Sequence, residues 1–516
     1  MRISQAATRS SARSRILAGA VATLLGFTAV SARADELSDL RQRLDAQEQQ
    51  IKALERKLEA RESGAGAELP AKVEEQQQQI KVLERKLELN DEATKAAIPT
   101  TPIVRADPAR GFRIQSADGA NVARFRGVLH FDGRRFLDDV TPATADTWIL
   151  RRVRPTFEGT FNSIYDFRFT PDFAGGKTII LDAFLAARLT PWAVVTAGKF
   201  KVPVGLERLA SATDLRFIER GFPTSLVPNR DLGLQLGGDI NGGLVNYSVG
   251  YFNGVSDGTS ADANLPSPDV ENDAHGDWAA RVFFQPFLNS DNFALRGLGF
   301  GVAGTYVDST GSATSTLLTG YRTPGQQTFF TYRASTAAAG TTPATNGTFA
   351  DGERLRISPQ AYYYYGSYGV LAEYVKVSQD VTRVTPTAGT RSDSLDNTAW
   401  QVQLAWFLTG EEETFKGFTP SSTFSIEKGT WGAFELVARY HELDIDDDAF
   451  TGGANSFANL TSSASKASAW GVGVNWYLTQ NYKWSINYDV TSFEGGAATG
   501  DRPDEKALFT RFAVGF

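Results

Sequence analysis

Hydrophobic and polar positions along this chain follow two periods. From about residue 111 to the end they alternate every second residue, the spacing of a strand with one oily and one polar face. Over residues 122–131, Ala123, Phe125, Leu129 and Phe131 share one face, and Arg124, Arg126 and His130 share the other. Phe157 and Phe161 oppose Arg152, Arg154 and Glu158 in the same way, and Phe167, Phe169 and Phe173 oppose Asp166, Arg168 and Asp172. Trp400, Val402, Leu404, Trp406 and Leu408 stand against Gln401 and Gln403, and Phe434, Leu436 and Tyr440 against Glu435, Arg439 and His441. The last run places Leu508, Thr510, Phe512, Val514 and Phe516 on one face.

Ahead of residue 90 the period is 3.5. Leu37, Leu40, Leu44, Ile51, Leu54 and Leu58 fall on alternating spacings of three and four, with Gln47 in one core slot, a heptad seam. Val73, Ile80, Leu83 and Leu87 repeat it, and QQIKALERKLE at 49–59 returns as QQIKVLERKLE at 78–88. Ser63-Gly64-Ala65-Gly66 and Pro70 break or kink the helix between the copies. Earlier still, Arg2, Arg9, Arg13 and Arg15 precede an apolar run over 16–30 and then Ala32-Arg33-Ala34, the layout of a secretory signal peptide. The expected organisation is a signal peptide at 1–34, a periplasmic α-helical coiled coil at 35–98, a linker at 99–110 marked by Pro99, Pro102 and Pro108, and a β domain at 111–516.

Composition narrows the class of the β domain. The chain has no cysteine and three histidines, His130, His275 and His441, so neither a disulfide framework nor a metal cluster is expected, and no cofactor is called for. A net charge of −7, or −12 once the five arginines of the first 34 residues are removed, argues against nucleic-acid binding. Past the leader no run of 18 apolar residues occurs, so a membrane is not crossed by helices. A soluble sandwich also alternates, but a final strand stopping on Phe516 resembles the C-terminal recognition signal of bacterial outer-membrane barrels. The expected fold is therefore an all-β transmembrane barrel in the outer membrane of a Gram-negative-type bacterium, in contact with its lipid. About 410 residues at roughly 25 per strand and connection give about 16 antiparallel strands, enough to enclose water. Polar stretches at 257–275, 310–320, 334–352 and 380–397 read as long loops, and Leu408-Thr409-Gly410 and Leu478-Thr479-Gln480 as tight turns.

Charge is unevenly placed. From Arg124 to Arg230 there are 16 Lys and Arg against 11 Asp and Glu, a local excess of five within an acidic chain. Arg124, Arg126, Arg152, Arg154, Arg168, Arg188, Lys199 and Lys201 are assigned to the face opposite the apolar residues. A charge in hydrocarbon costs several kcal/mol, so these side chains need a watery interior, where rings of Arg and Lys select anions. Inward Arg and Asp that merely brace one another, as in a general porin, remain the alternative. The stretch from Lys199 through Arg208, Arg216 and Arg220 to Arg230 has the length of a loop folded into the barrel to narrow it.

Leu150-Arg151-Arg152, Asp182-Ala183, Gly198-Lys199-Phe200, Gly205-Leu206-Glu207-Arg208 and Glu219-Arg220 resemble the phosphate-selective porin family of porin O and porin P. Leu408-Thr409-Gly410-Glu411, Gly432-Ala433-Phe434-Glu435-Leu436 and Gly473-Val474-Asn475-Trp476-Tyr477 continue the resemblance, which covers about 110–516. It implies a homotrimer of 16-stranded barrels whose inward loops carry a narrow anion site, for phosphate or polyphosphate, with arginines above and lysines below. By position it implies Arg220 as the basic residue of the constriction, Arg208 as its neighbour, Arg135 and Arg151-Arg152 as early arginines, and Asp182 as an acid orienting them. Alternation favours Arg152 over Arg151 for the lumen. The anion-binding set so obtained is Arg135, Arg152, Arg154, Asp182, Lys199, Lys201, Arg208 and Arg220. One departure is that Gly320-Tyr321-Arg322-Thr323 stands where the best-known phosphate-selective members carry a dense arginine run, with Arg333 the other arginine nearby.

Gly175-Gly176-Lys177-Thr178 lacks the first glycine of a nucleotide loop, because Pro171 stands there. Asp444, Asp446, Asp447 and Asp448 do not have the spacing of a calcium loop. No catalytic set stands out, so an enzyme is not expected. Passive anion uptake is the leading function; a structural barrel whose coiled coil contacts the cell wall is the other.

Overall fold

The computed structural model describes residues 78–83, 85, 86, 88, 102–107, 111–137, 146–176, 178–261, 276–338, 345–386, 388–417 and 419–516. They belong to two units, divided between Thr101 and Pro102. In the first unit the described residues are helical, as the second heptad copy predicts, and Arg85 meets Glu88 one turn on at 3.0 Å. The expected signal peptide, the first heptad copy and much of the linker lie outside the described residues.

The second unit begins with a hairpin, β1 (Ile103–Asp107) and β2 (Gly111–Gln115), followed by β3 (Val122–Phe136), β4 (Thr147–Phe161), β5 (Tyr165–Asp172), β6 (Ile179–Thr190), β7 (Ala193–Lys201), β8 (Arg230–Ile240), β9 (Val245–Phe252), β10 (Asp277–Phe284) and β11 (Leu298–Thr310). Two short strands, β12 (Tyr321–Arg322) and β13 (Thr328–Phe330), pair with each other inside a loop. The wall resumes with β14 (Thr348–Tyr365), β15 (Tyr368–Thr385), β16 (Gly389–Phe407), β17 (Ala433–Asp444), β18 (Ala464–Tyr477), β19 (Tyr482–Gly495) and β20 (Glu505–Gly515). Each wall strand from β3 onward pairs antiparallel with its predecessor, β14 taking β11, and β20 returns to β3 with Ala507 opposite Phe136 and Gly515 opposite Val128. Leaving out β1, β2 and the β12–β13 pair, this is a closed ring of 16 strands, the number expected, with no edge left open.

Alternation sorts the side chains as the sequence indicates. Along β16, Trp400, Val402, Leu404 and Trp406 are exposed on the outside while Gln401, Gln403 and Ala405 are buried inside. On β20, Leu508 and Phe512 face out and Ala507, Phe509 and Arg511 face in. Phe516 closes the seam: its N–H and C=O pair with Gly127, and its ring lies 5.9 Å from Phe125 and 6.1 Å from Phe112. Beyond the reach of β20, β2 takes over the same edge of β3, with Phe112 opposite Phe125.

Three expectations need correction. The polar stretch 380–397 is not a loop, because β15 and β16 run on through it and pair up to Thr385 and Gly389; its Val and Thr residues are β-formers on a solvent-facing extension of the wall. The turn expected at 408–410 opens a connection reaching Gly432. Nor is the inner face polar throughout. Val375, Val377, Val381, Leu395, Ala399, Leu443, Ala467 and Ala469 point inward and are buried against Phe222, Phe329, Phe330 and Phe457. Connections 202–229, 311–347 and 445–463 supply those partners, so one side of the lumen is filled by a hydrophobic core. Each buried Phe or Leu there contributes about 1.5–3 kcal/mol relative to exposure.

Tight connections at 162–164, 191–192, 241–244, 366–367 and 478–481 gather at one end, with Phe516; long ones at 202–229, 253–276, 311–347 and 445–463 gather at the other. In outer-membrane barrels the short turns are periplasmic and the long loops extracellular. Gly111, at φ 72°, starts β2, and a Cβ there would sit 2.3 Å from the carbonyl oxygen of Phe125. Gly111→Val is expected to detach β1 and β2 while the ring stays closed: limited proteolysis should cut within 103–121 faster than in the wild type, with the barrel still migrating as folded in unheated SDS gels.

Candidate functional site

The connection 202–229 leaves β7 and crosses the lumen before returning to β8. Val202, Val204, Leu206, Phe217, Ile218, Phe222 and Leu226 are buried along it, so it carries its own apolar anchors. Its backbone is held by the opposite wall. Leu206 and Glu207 donate to the Glu373 carboxylate at 2.6 and 3.2 Å, Ile218 to Asn487 at 2.7 Å and Phe222 to His441 Nδ1 at 3.1 Å. Arg511 and Arg439 donate to the carbonyls of Ile218 and Glu219 at 2.7 and 2.8 Å. Arg216 pairs with Glu413 and lies 3.4 Å from Glu435, tying the loop tip to the 408–432 connection from the other end.

Glu219 is the electrostatic centre of this crossing. Arg151 embraces its carboxylate with two bonds, 2.7 and 3.0 Å, and Arg134 adds a third at 3.0 Å; Arg511 stands at 3.9 Å. Burial alone would raise this carboxyl's pKa, but Arg151, Arg511 and Arg152 overcome it and hold the group well below the usual carboxylate range. Its contribution to stability is therefore complete above the ordinary carboxylate range and lost only in strong acid.

Below the loop lies a cavity of about 750 Å³. Eight residues lining it are Lys or Arg: Arg126, Arg154, Arg168, Lys201, Arg216, Arg230, Lys416 and Lys483; three are acids: Glu158, Asp182 and Asp214. Glu158 is shared by Arg126 and Arg168, and Asp182 holds Arg230 at 2.9 Å. Lys201 and Lys483 are held by carbonyl oxygens instead: Lys201 by Leu209 and Ala210 at 3.0 and 2.8 Å, Lys483 by Leu215 and Thr213 at 2.7 and 3.3 Å. Arg220 shares the Ala210 carbonyl with Lys201, at 2.9 Å, and bonds the Glu207 carbonyl at 3.1 Å. Arg208 bonds the carbonyl of Thr224. Desolvation in the loop lowers Arg208 to about 9 and Arg220 to about 10, so both stay cationic at neutral pH. Carbonyl dipoles position these cations without cancelling their charge.

The family described as phosphate-selective porin O and P matches residues 124–516, about three quarters of the chain. The chain belongs to that family. It is thus an outer-membrane porin, a channel rather than an enzyme. No curated protein matches it. Among solved structures the porin is similar to the outer membrane channel DcaP of Acinetobacter baumannii (10% identity, TM-score 0.47, 77% of this chain and 98% of that one). It is also similar to OmpT, an outer membrane protein of Vibrio cholerae (10%, 0.45, 77% and 98%), and to Salmonella typhi OmpF in complex with daunomycin (11%, 0.44, 77% and 98%).

The porin places the sequence candidates unequally. Lys201, Arg208 and Arg220 converge through the loop carbonyls, and Arg154 and Asp182 line the cavity, Arg154 with Asp172 at 2.7 Å. Arg152 faces inward but is buried in the wall, its Nη1 2.9 Å from His130 Nδ1. Arg151, set aside on parity, also faces in. A bulge between the pairs His130–Arg152 and Phe131–Leu150 inserts it as an extra residue, and a bulge re-aims side chains. Arg135 is corrected: it pairs with Leu508 on the outer face, its side chain is 72% exposed, and Asp146 is 4.0 Å away. Arg134, one residue earlier, has the inward parity. Lys199 is corrected as well, since it pairs with Ala183 and Leu232 on the outer parity and donates to Ala261 of loop 253–276 at 2.9 Å. Arg134, Lys416, Lys483 and Arg511 were missed. Lys483 and Arg511 alternate with the apolar residues of the last two strands, so reading both faces there finds them.

Glu219→Gln removes the charge that Arg134 and Arg151 share. Breaking a buried pair costs about 3–5 kcal/mol, and the expected result is a loosened crossing: single-channel recordings should show larger and noisier current steps than the wild type. Unchanged steps would mean the apolar anchors hold the loop without Glu219.

Proposed function

We propose that this porin passes small anions by diffusion, with the carbonyl-held cations of the inward loop as its selective element. The observation that carries the reading is the cation excess around the cavity, eight Lys or Arg against three acids, in a chain whose net charge is −7. Lys201, Arg208 and Arg220 present positive charge held by neutral oxygens, so an oxyanion can gain charge-assisted hydrogen bonds there in exchange for part of its hydration shell. Arg154 and Arg152 extend that field along β4, and Asp182 orients Arg230.

Phosphate as the preferred anion rests on the family's description. With Arg322 and Arg333 as the arginines near the β12–β13 segment, selectivity among oxyanions falls to the loop and the cavity. A trimer is what the family resemblance implies; the neighbouring strands β9 and β10 have 8 residues each, against the ~9–11 a lipid-spanning strand needs, so that stretch of wall suits cover by a neighbouring copy. The heptad segment is assigned to the periplasm as a stalk.

Reversal potentials of the reconstituted porin across a KCl gradient test the reading. The wild type should prefer chloride to potassium, orthophosphate should lower the chloride current, and Lys201→Gln combined with Arg220→Gln should reduce the anion preference several-fold. A cation preference in the wild type, or a double variant with the wild-type potential, sinks it.

A further inference from the structure

At the short-turn mouth the register of three neighbouring strands sets three arginines side by side. Arg105 of β1 faces Arg113 of β2, and Arg113 faces Arg124 of β3. Arg124 in turn faces Glu158 of β4. That acid is already engaged, with Arg126 at 3.4 Å and Arg168 at 2.8 Å. Among the described side chains, of which that of Asp107 is not one, no carboxylate lies within 4.0 Å of Arg105, Arg113 or Arg124. The Nε atoms of Arg113 and Arg124 are shielded from solvent and have no hydrogen-bond partner.

Like charges directly opposite each other destabilise a sheet. Three in a row, with the acid opposite Arg124 engaged by two other arginines, therefore favour an external counter-ion. The face decides which kind. Phe112 and Ile114 pair with Phe125 and Ala123 and take the lipid side, 56% and 55% exposed; the arginines between them take the lumen side, together with Glu158 and Arg126. Lipid head groups on the outer surface are on the wrong side, whereas a solute at the mouth is on the right one. Neighbouring strands are about 4.8 Å apart, so three stems span about 10 Å. That length suits several linked phosphates better than one, and each guanidinium can give paired N–H donors to such oxygens. The hairpin carrying two of the three arginines precedes the span matched to the family, 124–516.

We infer that Arg105, Arg113 and Arg124 form a binding site for a condensed, multivalent phosphate chain at the short-turn mouth. The inference rests on the anion-channel reading and adds a site apart from the inward loop. Calorimetric titration of the full chain in detergent tests it, with inorganic tripolyphosphate and orthophosphate as the two probes. Wild type should bind tripolyphosphate at least tenfold more tightly than orthophosphate. Arg113→Gln should lower the tripolyphosphate affinity at least tenfold and leave the KCl reversal potential at its wild-type value. Arg105→Gln, at an exposed position the ring does not need, should lower it in the same direction, so the outcome does not hinge on how Arg113→Gln folds. Equal tripolyphosphate affinity in wild type and both variants overturns the proposal, as does equal affinity for the two phosphates. If the wild type shows no anion preference while tripolyphosphate binding still depends on the ladder, the channel reading fails and the site stands.

Discussion

The hold of Arg151 and Arg134 on the Glu219 carboxylate is the interaction on which the rest of the passage depends. A loop of 28 residues, 202–229, cannot cross a watery lumen on backbone hydrogen bonds alone, because each could be exchanged for water. A carboxylate desolvated among arginines is different. Once Glu219 is inside, leaving it without Arg151 costs far more than the pair itself gains, so the loop either docks with all its partners or not at all. Arg511 and Arg439, which bind the carbonyls of Ile218 and of Glu219 itself, extend that dependence to β20 and β17. The pair thereby joins the loop that leaves β7 to the far side of the ring, at β3, β4, β17 and β20.

With the loop docked, the lumen divides into two materials. Against β15–β18 it is a dry core of Phe222, Phe329, Phe330 and Phe457 on inward Val, Leu and Ala. Against β3–β8 it stays open and cationic. The division follows from what the strands present. Inward alanines and valines leave no polar partner for water, and the loops above supply rings to cover them. Inward arginines on β3–β5 cannot be buried that way, so the open path is left beside them. Apolar filling fixes where the passage is not, and charge fixes what the remainder favours.

Much of this is legible in the sequence. The period of two and the oily faces identify a barrel, because the lipid face tolerates only apolar side chains over most of its height, and the length of the alternating region gives its strand count. Loop 202–229 was legible by its length and its Glu-Arg pair. Parity failed where the backbone departs from a plain pleat: the bulge at Arg151 turns that residue inward, and Lys199 lies near a strand end, where one position decides between lumen and outer surface. Arg135 came from the resemblance alone; alternation puts it with Leu129 and Phe131 on the outer face. The stretch 380–397 misled for another reason. Its Ser, Thr and Asp composition is that of loops, yet a wall rising clear of the membrane is wet on its outer face and needs no oil there.

Carbonyl-held cations give the passage a property that acid-held cations would not. A lysine paired with a carboxylate offers a passing anion little net field, and the anion must compete with a fixed negative charge for the same donor. Lys201, Arg208 and Arg220 instead rest on dipoles, which orient the donors while the full charge remains available. A dipole partner also gives way at low cost when an anion approaches, and recovers the bond when it leaves. On the proposed anion reading, binding is then strong enough to draw an oxyanion out of water and weak enough for release, which is what conduction through a narrow site requires.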